Sequence, residues 1–293
     1  MIDSLTKHIS SKHDSYKMTV LIPSWNNLSI LQLCIRSILK NSHFDLQIIV
    51  IINEGVDGTL NWIKEQEGID YVYSEKNIGI CYALNSCRSL LKSDYIIYLN
   101  DDMYVLPDWD LELYNEIKKQ TGNEFMLSAT MIEHTKTLNP CVVVKDYGKD
   151  IEDFKEELLL KEYKELAIPN WTGSTWPPNV VHVDMWDLVG GMSIEFSPGM
   201  YSDPDLARKL LMAGVRNFKG IGSSLVYHFG SKSTKRVRKN RGRNMFLLKW
   251  GLTANAFTTA YLNIGSKYKG YVAEPVVKPE LKWVNRIKRI LSC

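Results

Sequence analysis

The sequence "DYIIYLNDDM" (residues 94–103) joins an apolar run to three polar residues. A run of isoleucine and tyrosine of this length, ended by polar residues, is typical of a buried β-strand. The two aspartates that follow, Asp101 and Asp102, are costly to place against buried surface. This strand end is therefore either a polar turn or a place where a cation binds.

Three similar apolar runs precede this one, and segments with apolar residues at helical spacing separate them. The predicted order is strand 18–22, helix 28–40, strand 46–52, helix 58–66, strand 70–74, helix 83–91 and strand 94–99. This alternation predicts an α/β fold of Rossmann type, with a mostly parallel central sheet and helices on both faces. In such sheets, ligands bind beyond the carboxyl ends of the strands.

Composition narrows the class of protein. The formal net charge of +3 over 293 residues is too small to favour nucleic acid as a partner. The five cysteines are scattered and odd in number, which argues against a disulfide framework and against a zinc site. The first 17 residues lack the apolar segment of a secretory signal, and no apolar run is long enough for a membrane span. We expect a cytoplasmic protein, with contact at most to the inner surface of a membrane.

Polar residues follow each of the four predicted strands, and the topology brings them to one edge of the sheet. They are Pro23, Ser24 and Asn26, then Asn53 and Glu54, then Asn77 and Gly79, and finally Asn100, Asp101 and Asp102. Mg²⁺ and Mn²⁺ favour carboxylate oxygens and commonly share a phosphate with them. Asp102 is the better metal-ligand candidate, while Asn100 or Asp101 could bind a ribose. For Asn26, a polar strand-to-helix turn with Asn26 or Asn27 as the helix N-cap is an equally good interpretation.

The ordered set of motifs resembles the inverting family-2 glycosyltransferases of the GT-A fold. It comprises "MTVLIPSWNN", "IIVIINEGVDGT", "SEKNIGICYALN", "YIIYLNDDMYVLPDW", a Gly-Gly segment and "SDPDLARKLLMAG". The resemblance covers roughly residues 18–230, and its specificity lies in the order of the pieces. It implies a divalent metal, Mn²⁺ or Mg²⁺, bound through Asp102 to the diphosphate of a nucleotide-sugar. It also implies that the residues after the first three strands bind the nucleoside.

One residue departs from the family pattern. The family usually has an aspartate that contacts the uracil ring where this chain has Asn53. Asparagine both donates and accepts hydrogen bonds, so either Glu54 takes over the contact or the base preference differs. The resemblance implies a UDP-linked donor, and the asparagine at position 53 leaves the identity of the base open.

Asp203 corresponds to the aspartate that acts as general base in the family. The alternative is structural, since Ser202 or Asp203 followed by Pro204 is also a good helix N-terminus. The resemblance assigns acceptor or sugar contacts to Gly190, Gly191 and Asp205. It also allows His228 as a further metal ligand, although a histidine at a strand end is often purely structural.

Three further features have both a functional and a structural interpretation. Trp171, Trp176 and Trp186 either form an acceptor wall or pack in the core. The basic stretch 232–243, with Lys232, Lys235 and Arg236, either closes over the diphosphate or is a solvated surface. It has no interleaved aromatic residues, which disfavours nucleic acid. The segment "LKWVNRIKRILSC" (281–293) is a basic amphipathic helix that either lies on an anionic membrane or docks on the domain or a second subunit.

These observations predict an N-terminal tail (1–17), a GT-A-like domain (18–235), and a basic loop with a helical C-terminal extension (236–293). The expected activity is metal-dependent, inverting transfer of a sugar to a hydroxyl of a glycan or lipid-linked glycan, as in surface polysaccharide synthesis. Two alternatives stay open at this point: a sugar-nucleotide nucleotidyltransferase, and a non-catalytic protein that binds nucleotides or carbohydrates. The first lacks support because "IPSWNNLS" contains neither a glycine nor a basic residue for a phosphate loop.

Overall fold

The structure is a computed structural model, and it describes residues 5–137, 139–230, 241–273 and 279–290. The described residues form an 11-stranded mixed sheet. Its strands are β1 (Thr6–His8), β2 (Thr19–Trp25), β3 (Gln47–Asn53), β4 (Ile69–Ser74), β5 (Tyr95–Tyr98), β6 (Met103–Val105), β7 (Phe125–Glu133), β8 (Val143–Val144), β9 (Trp171–Thr172), β10 (Asn179–His182) and β11 (Asn217–His228).

Helices connect these strands along the chain. They are α1 (Leu28–Asn41), α2 (Thr59–Lys64), α3 (Gly79–Ser86), α4 (Trp109–Ile117), α5 (Glu156–Glu162), α6 (Val183–Val189), α7 (Ser202–Met212), α8 (Gly242–Trp250), α9 (Ala254–Ala256) and α10 (Pro279–Ile290). A π-helical turn, Phe257–Tyr261, directly continues α9.

The strand order along the sheet is β1-β4-β3-β2-β5-β10-β7-β11-β6, with β8 beside β7 and β9 beside β11. The four strands predicted from the sequence, β2 to β5, form a parallel block. The α/β prediction is confirmed. Beyond this block the sheet is mixed, because β10 runs antiparallel to both of its neighbours and β6 runs antiparallel to β11.

Both faces of the parallel block are covered, which explains the nearly continuous apolar runs. Along β3, Ile48, Val50 and Ile52 pack into the cluster that includes α1, whereas Ile49 and Ile51 pack into the cluster that includes α3 and α7. Successive side chains of a strand point to opposite faces. The sheet is therefore the central layer between two helical layers.

Two local expectations were wrong. Part of the N-terminal segment expected to be loose, Thr6–His8, pairs antiparallel with β4, because the outer edge of β4 offers unpaired backbone groups. The N-cap of α7 is Tyr201, in the left-handed region at φ 72°, so Ser202 and Asp203 lie inside the first turn and neither is the N-cap.

The described part of the C-terminal extension is helical over Gly242–Trp250, Ala254–Ala256, Phe257–Tyr261 and Pro279–Ile290, whereas residues 262–273 are irregular. Phe246, Leu252, Phe257 and Leu262 belong to the same buried cluster as Ile49 of β3. The predicted division at 235/236 lies outside the described residues and stays a prediction. Within the described ranges, no helix is both long and apolar enough to cross a membrane.

Candidate active site

The last residue of β11 lies between two acidic strand ends. The strand register pairs His228 with Met103 of β6 on one side and with Glu133 of β7 on the other. Asp102 directly precedes β6, so its side chain reaches the same ring. His228 Nε2 lies 3.4 Å from Asp102 Oδ1, and His228 Nδ1 lies 2.8 Å from Glu133 Oε1.

This cluster has the features of a divalent metal site. Asp102 Oδ1 and His228 Nε2 are buried, and apart from their 3.4 Å contact with each other neither atom has a hydrogen-bond partner. Buried polar atoms are normally bonded, so an oxygen and a nitrogen that face each other without further partners fit a bound cation. The described residues contain no group of three or more His, Cys, Asp or Glu side chains arranged to hold a metal ion. A cation at Asp102 and His228 would therefore need further ligands from substrate or water.

The electrostatics of the cluster favour positive charge. Burial alone lowers the pKa of His228, but the carboxylates of Asp102 and Glu133 outweigh burial and raise this pKa to about 10. The same negative environment would also favour a metal cation, which would have to replace the proton on Nε2 because a ligating imidazole is neutral. Glu133 also fixes the ring orientation, because its Oε1 bonds Nδ1 and leaves Nε2 directed at Asp102.

Asp203 supplies a carboxylate with an unusual pKa. It lies in the first turn of α7, and burial raises its pKa to about 7. Its charge in turn contributes to raising the pKa of Cys81 to about 12, after burial as the larger cause. A carboxyl group that titrates near neutral pH is suited to accept a proton during catalysis.

One cavity of about 760 Å³ contains these groups. The loop 198–204, the ends of β5 and β11, and the C-terminal segment 254–264 surround it. Of the residues singled out in the sequence, it is lined by Pro23, Asn100, Asp101, Asp102, Trp176, Asp203 and His228. The cavity thus brings together the metal candidates, the base candidate and one of the three tryptophans.

The other predicted nucleoside residues form a hydrogen-bonded frame beside the cavity. Glu54 Oε2 accepts hydrogen bonds from Trp25 Nε1 at 2.8 Å and from Asn26 Nδ2 at 2.9 Å. Asn53 Oδ1 accepts from the backbone N–H of Ile78 at 3.0 Å, which ties β3 to the start of α3. Ser24 differs, since its buried Oγ has no hydrogen-bond partner.

Asn77 and Gly79 hold the entry to α3 against the 197–198 loop. Asn77 Oδ1 accepts from the backbone N–H of Gly79 at 2.8 Å. Gly79 has φ 74°, and a Cβ there would lie 2.7 Å from Pro198 Cα. Glycine is needed here both for the backbone conformation and for the close approach.

Several predicted acceptor contacts lie elsewhere. Trp171 is buried and donates from Nε1 to Thr130 Oγ1 at 2.9 Å, and Trp186 is buried in the core against Gly191. The core interpretation therefore holds for both. Gly190 ends α6 as its C-cap in the left-handed region, at φ 72°.

Asp205 is also turned away from the cavity. Its Oδ1 accepts from Trp250 Nε1 at 2.8 Å and lies 2.9 Å from Lys249 Nζ, so it anchors α8 on α7. The residues Lys232, Lys235 and Arg236, predicted to close over a diphosphate, lie outside the described residues.

The sequence analysis missed two parts of the cavity. Glu133 ends the apolar run "FMLSATMIE", the same signal that drew attention to Asp102, and it could have been found in that way. The wall formed by Asn255, Thr258 and Thr259 has no comparable signal, because only the packing of the C-terminal segment brings it to the cavity.

The amino-acid sequence was compared with those of known protein families and of curated proteins. Residues 19–129 match the family described as Glycosyl transferase family 2. The chondroitin synthase of Pasteurella multocida (strain Pm70) is 31% identical over 94 residues, which cover 31% of this chain and 10% of that protein. The chain covers 24% and 15% of the length of two other curated relatives that it matches.

Solved structures share the fold at low sequence identity. TarS 1–349 of S. aureus in complex with UDP-GlcNAc has a TM-score of 0.59 at 9% identity, covering 94% of this chain and 72% of that chain. A mannosyltransferase from Pyrobaculum calidifontis, in complex with GDP-Man and Mn²⁺, has a TM-score of 0.51 at 16% identity, covering 94% of this chain and 70% of that chain. The likeness confirms the expected GT-A-like fold.

Proposed function

We propose that the protein is a metal-dependent, inverting glycosyltransferase, because residues 19–129 match glycosyl transferase family 2. It transfers a sugar from a nucleotide-sugar, UDP-linked in our proposal, to a hydroxyl of a glycan or lipid-linked glycan. The observation that carries the proposal is the cavity itself, lined by a carboxyl group of pKa about 7 and by Asp102 and His228, whose facing side-chain atoms contact each other and have no hydrogen-bond partner.

Asp203 acts as the general base in this reaction. An acceptor hydroxyl is a weak nucleophile at neutral pH, and a carboxylate within hydrogen-bond reach removes its proton as the oxygen attacks. The new bond forms between that oxygen and the anomeric carbon, while the bond from this carbon to the diphosphate oxygen breaks. A single displacement of this kind inverts the anomeric centre.

Asp102 and His228 would hold Mn²⁺ or Mg²⁺, which when bound supplies positive charge for the departing diphosphate. Glu133 is a positioning residue that keeps the His228 ring in one orientation. On this proposal Asn100 and Asp101 lie where the ribose would bind, and Trp176 offers an apolar ring face to the acceptor sugar.

The similar proteins described above support this assignment. They are a chondroitin synthase and structures in complex with UDP-GlcNAc or with GDP-Man and Mn²⁺. We propose surface polysaccharide synthesis as the context and the cytoplasm as the location. The four described cysteines, which are all free and buried, support the location.

The test is release of nucleoside diphosphate from a panel of UDP-, GDP- and other nucleotide-sugars, with Mn²⁺, with Mg²⁺ and with a chelator. We expect metal-dependent release from one donor class and its loss in Asp102→Ala. Release that is unaffected by the chelator would refute the metal role. Metal-dependent binding of every donor without any turnover would favour a non-catalytic binding protein.

A further inference from the structure

We propose that the outward face of α10 binds the surface of an anionic lipid bilayer. This inference does not depend on the proposed activity. It starts from four large apolar side chains that α10 exposes to solvent: Trp283 at 62%, Val284 at 43%, Ile287 at 53% and Ile290 at 69%. Trp283, Ile287 and Ile290 are spaced by four and three residues, so they form one stripe on the helix.

The helix is already docked on the protein through its other side. Asn285 is 4% exposed, and its Oδ1 accepts a hydrogen bond from the backbone N–H of Thr253 at 3.4 Å. Leu281, one turn earlier on this inward side, is half-buried. The amphipathic pattern is thus reversed relative to an ordinary surface helix, which packs its apolar side on the core. An apolar stripe turned away from the domain marks an interaction surface.

Charge identifies the partner as an anionic bilayer. The exposed basic residues of α10 are Lys282, Arg286, Lys288 and Arg289, and the acidic residue is Glu280. The Arg286 guanidinium lies 5.7 Å from the centre of the Trp283 ring, so the cation borders the apolar stripe directly. Tryptophan with basic residues around an apolar stripe is the pattern of a helix that lies in a membrane interface. Pairing with a second copy would bring two basic sets together, which opposes that contact.

The inward side connects α10 to the cavity. Thr253, the partner of Asn285, directly precedes Ala254 and Asn255, which line the cavity. A bilayer bound at the outward face of α10 would be separated by this helix from the segment that forms the cavity wall.

The experiment is co-sedimentation of the full chain with vesicles of phosphatidylcholine alone and with about 30 mol% phosphatidylglycerol. We expect binding to the anionic vesicles, weakened by about 0.5 M NaCl because salt screens the basic residues. Trp283→Ser combined with Ile287→Ser is expected to lower the partition coefficient at least tenfold. Arg286→Gln is expected to lower it about fivefold, as each basic residue near an anionic surface contributes about that factor.

A matched control removes apolar surface elsewhere. Leu39→Ser combined with Leu188→Ser changes two residues that are 69% and 67% exposed on α1 and α6, and it should leave vesicle binding unchanged. Equal losses in both double variants, equal binding to neutral and anionic vesicles, or no binding would each overturn the proposal. So would a dimer, measured by light scattering, that Trp283→Ser with Ile287→Ser dissociates while vesicles stay unbound.

Discussion

Two parts of the same sheet edge differ in how their polar atoms are satisfied. Around β2 and β3, the side chains of Asn26, Asn53 and Glu54 bond to the protein itself. Around β6 and β11, Asp102 Oδ1 and His228 Nε2 are buried without a hydrogen-bond partner. Both parts were selected from the sequence by the same signal, polar residues after an apolar strand.

The difference separates framework from ligand-binding residues. A buried polar group without a partner costs free energy, so such a group that also lines a cavity is a candidate for contact with a ligand. A polar group that already bonds the protein shapes the loop instead. On this basis Asn53 and Glu54 position the loops around the cavity, and Asp102 with His228 contact what enters it.

The largest expected effect follows from Asp203→Asn. Loss of a general base lowers turnover by about 10² to 10⁴-fold, because asparagine cannot take the acceptor proton. Donor binding, measured by calorimetry with metal present, should stay within about threefold of wild type. Asp205→Asn is the control two residues away: it weakens the contact to Lys249 and Trp250, and should lower the melting temperature more than the turnover. Wild-type turnover in Asp203→Asn would return Asp203 to a purely structural role.

The pH profile should reflect the same carboxyl group. Because the pKa of Asp203 is raised to about 7, kcat/KM should fall about tenfold per pH unit below that value and level off above it. The contribution of Asp203 to stability changes with pH in the opposite direction. The folded-state pKa lies above the ordinary 3.8, so stability declines as pH rises from 3.8 to about 7. Asp203→Asn should remove this decline in thermal unfolding, and a decline that persists would assign it to another group.

A smaller effect is expected for Glu133→Gln, which keeps an acceptor for His228 Nδ1 and removes the charge. Substitution of a residue that orients a metal ligand typically lowers metal affinity by about 10 to 100-fold. Because glutamine is a conservative replacement, we expect Glu133→Gln to weaken metal affinity about tenfold. The measurement is the Mn²⁺ concentration that gives half-maximal nucleotide-sugar turnover. Glu162→Gln, at a carboxylate that accepts from Tyr147 instead, serves as control. An unchanged Mn²⁺ requirement in Glu133→Gln would remove Glu133 from the site.

The smallest effect on activity is expected in the framework region. Glu54→Ala removes the acceptor for Trp25 and Asn26, and should lower the free energy of unfolding by about 1–2 kcal/mol. Turnover at saturating donor should change by less than about threefold. If KM for the donor instead rises more than about tenfold at unchanged stability, Glu54 contacts the nucleotide and the contrast between the two regions fails.

Much of the fold could be predicted because its signals are local. Apolar runs and helical spacing located β2 to β5 and α1 within a few residues. Strands that are buried on both faces consist of nearly consecutive apolar residues, which are easily recognised in a sequence. The edge strand Thr6–His8 was not predicted because its three residues are exposed and form no apolar run. The N-cap of α7 was missed because Tyr201 has none of the usual capping side chains.

Some residues of the candidate site could also be proposed from the sequence, whereas others required the structure. The sequence alone was sufficient to propose Asp102 from its position after a strand, and to propose Asp203 and His228 through the resemblance to a family, because the order of short motifs can be recognised without a structure. The tertiary structure was required to bring Glu133 beside His228, since their pairing depends on the parallel register of β7 and β11. It also turned Asp205 toward α8, although this residue lies only two positions from Asp203. The direction of a side chain depends on the rotation of its helix and on packing between segments that are distant in the sequence. Neither can be inferred from the spacing of neighbouring residues.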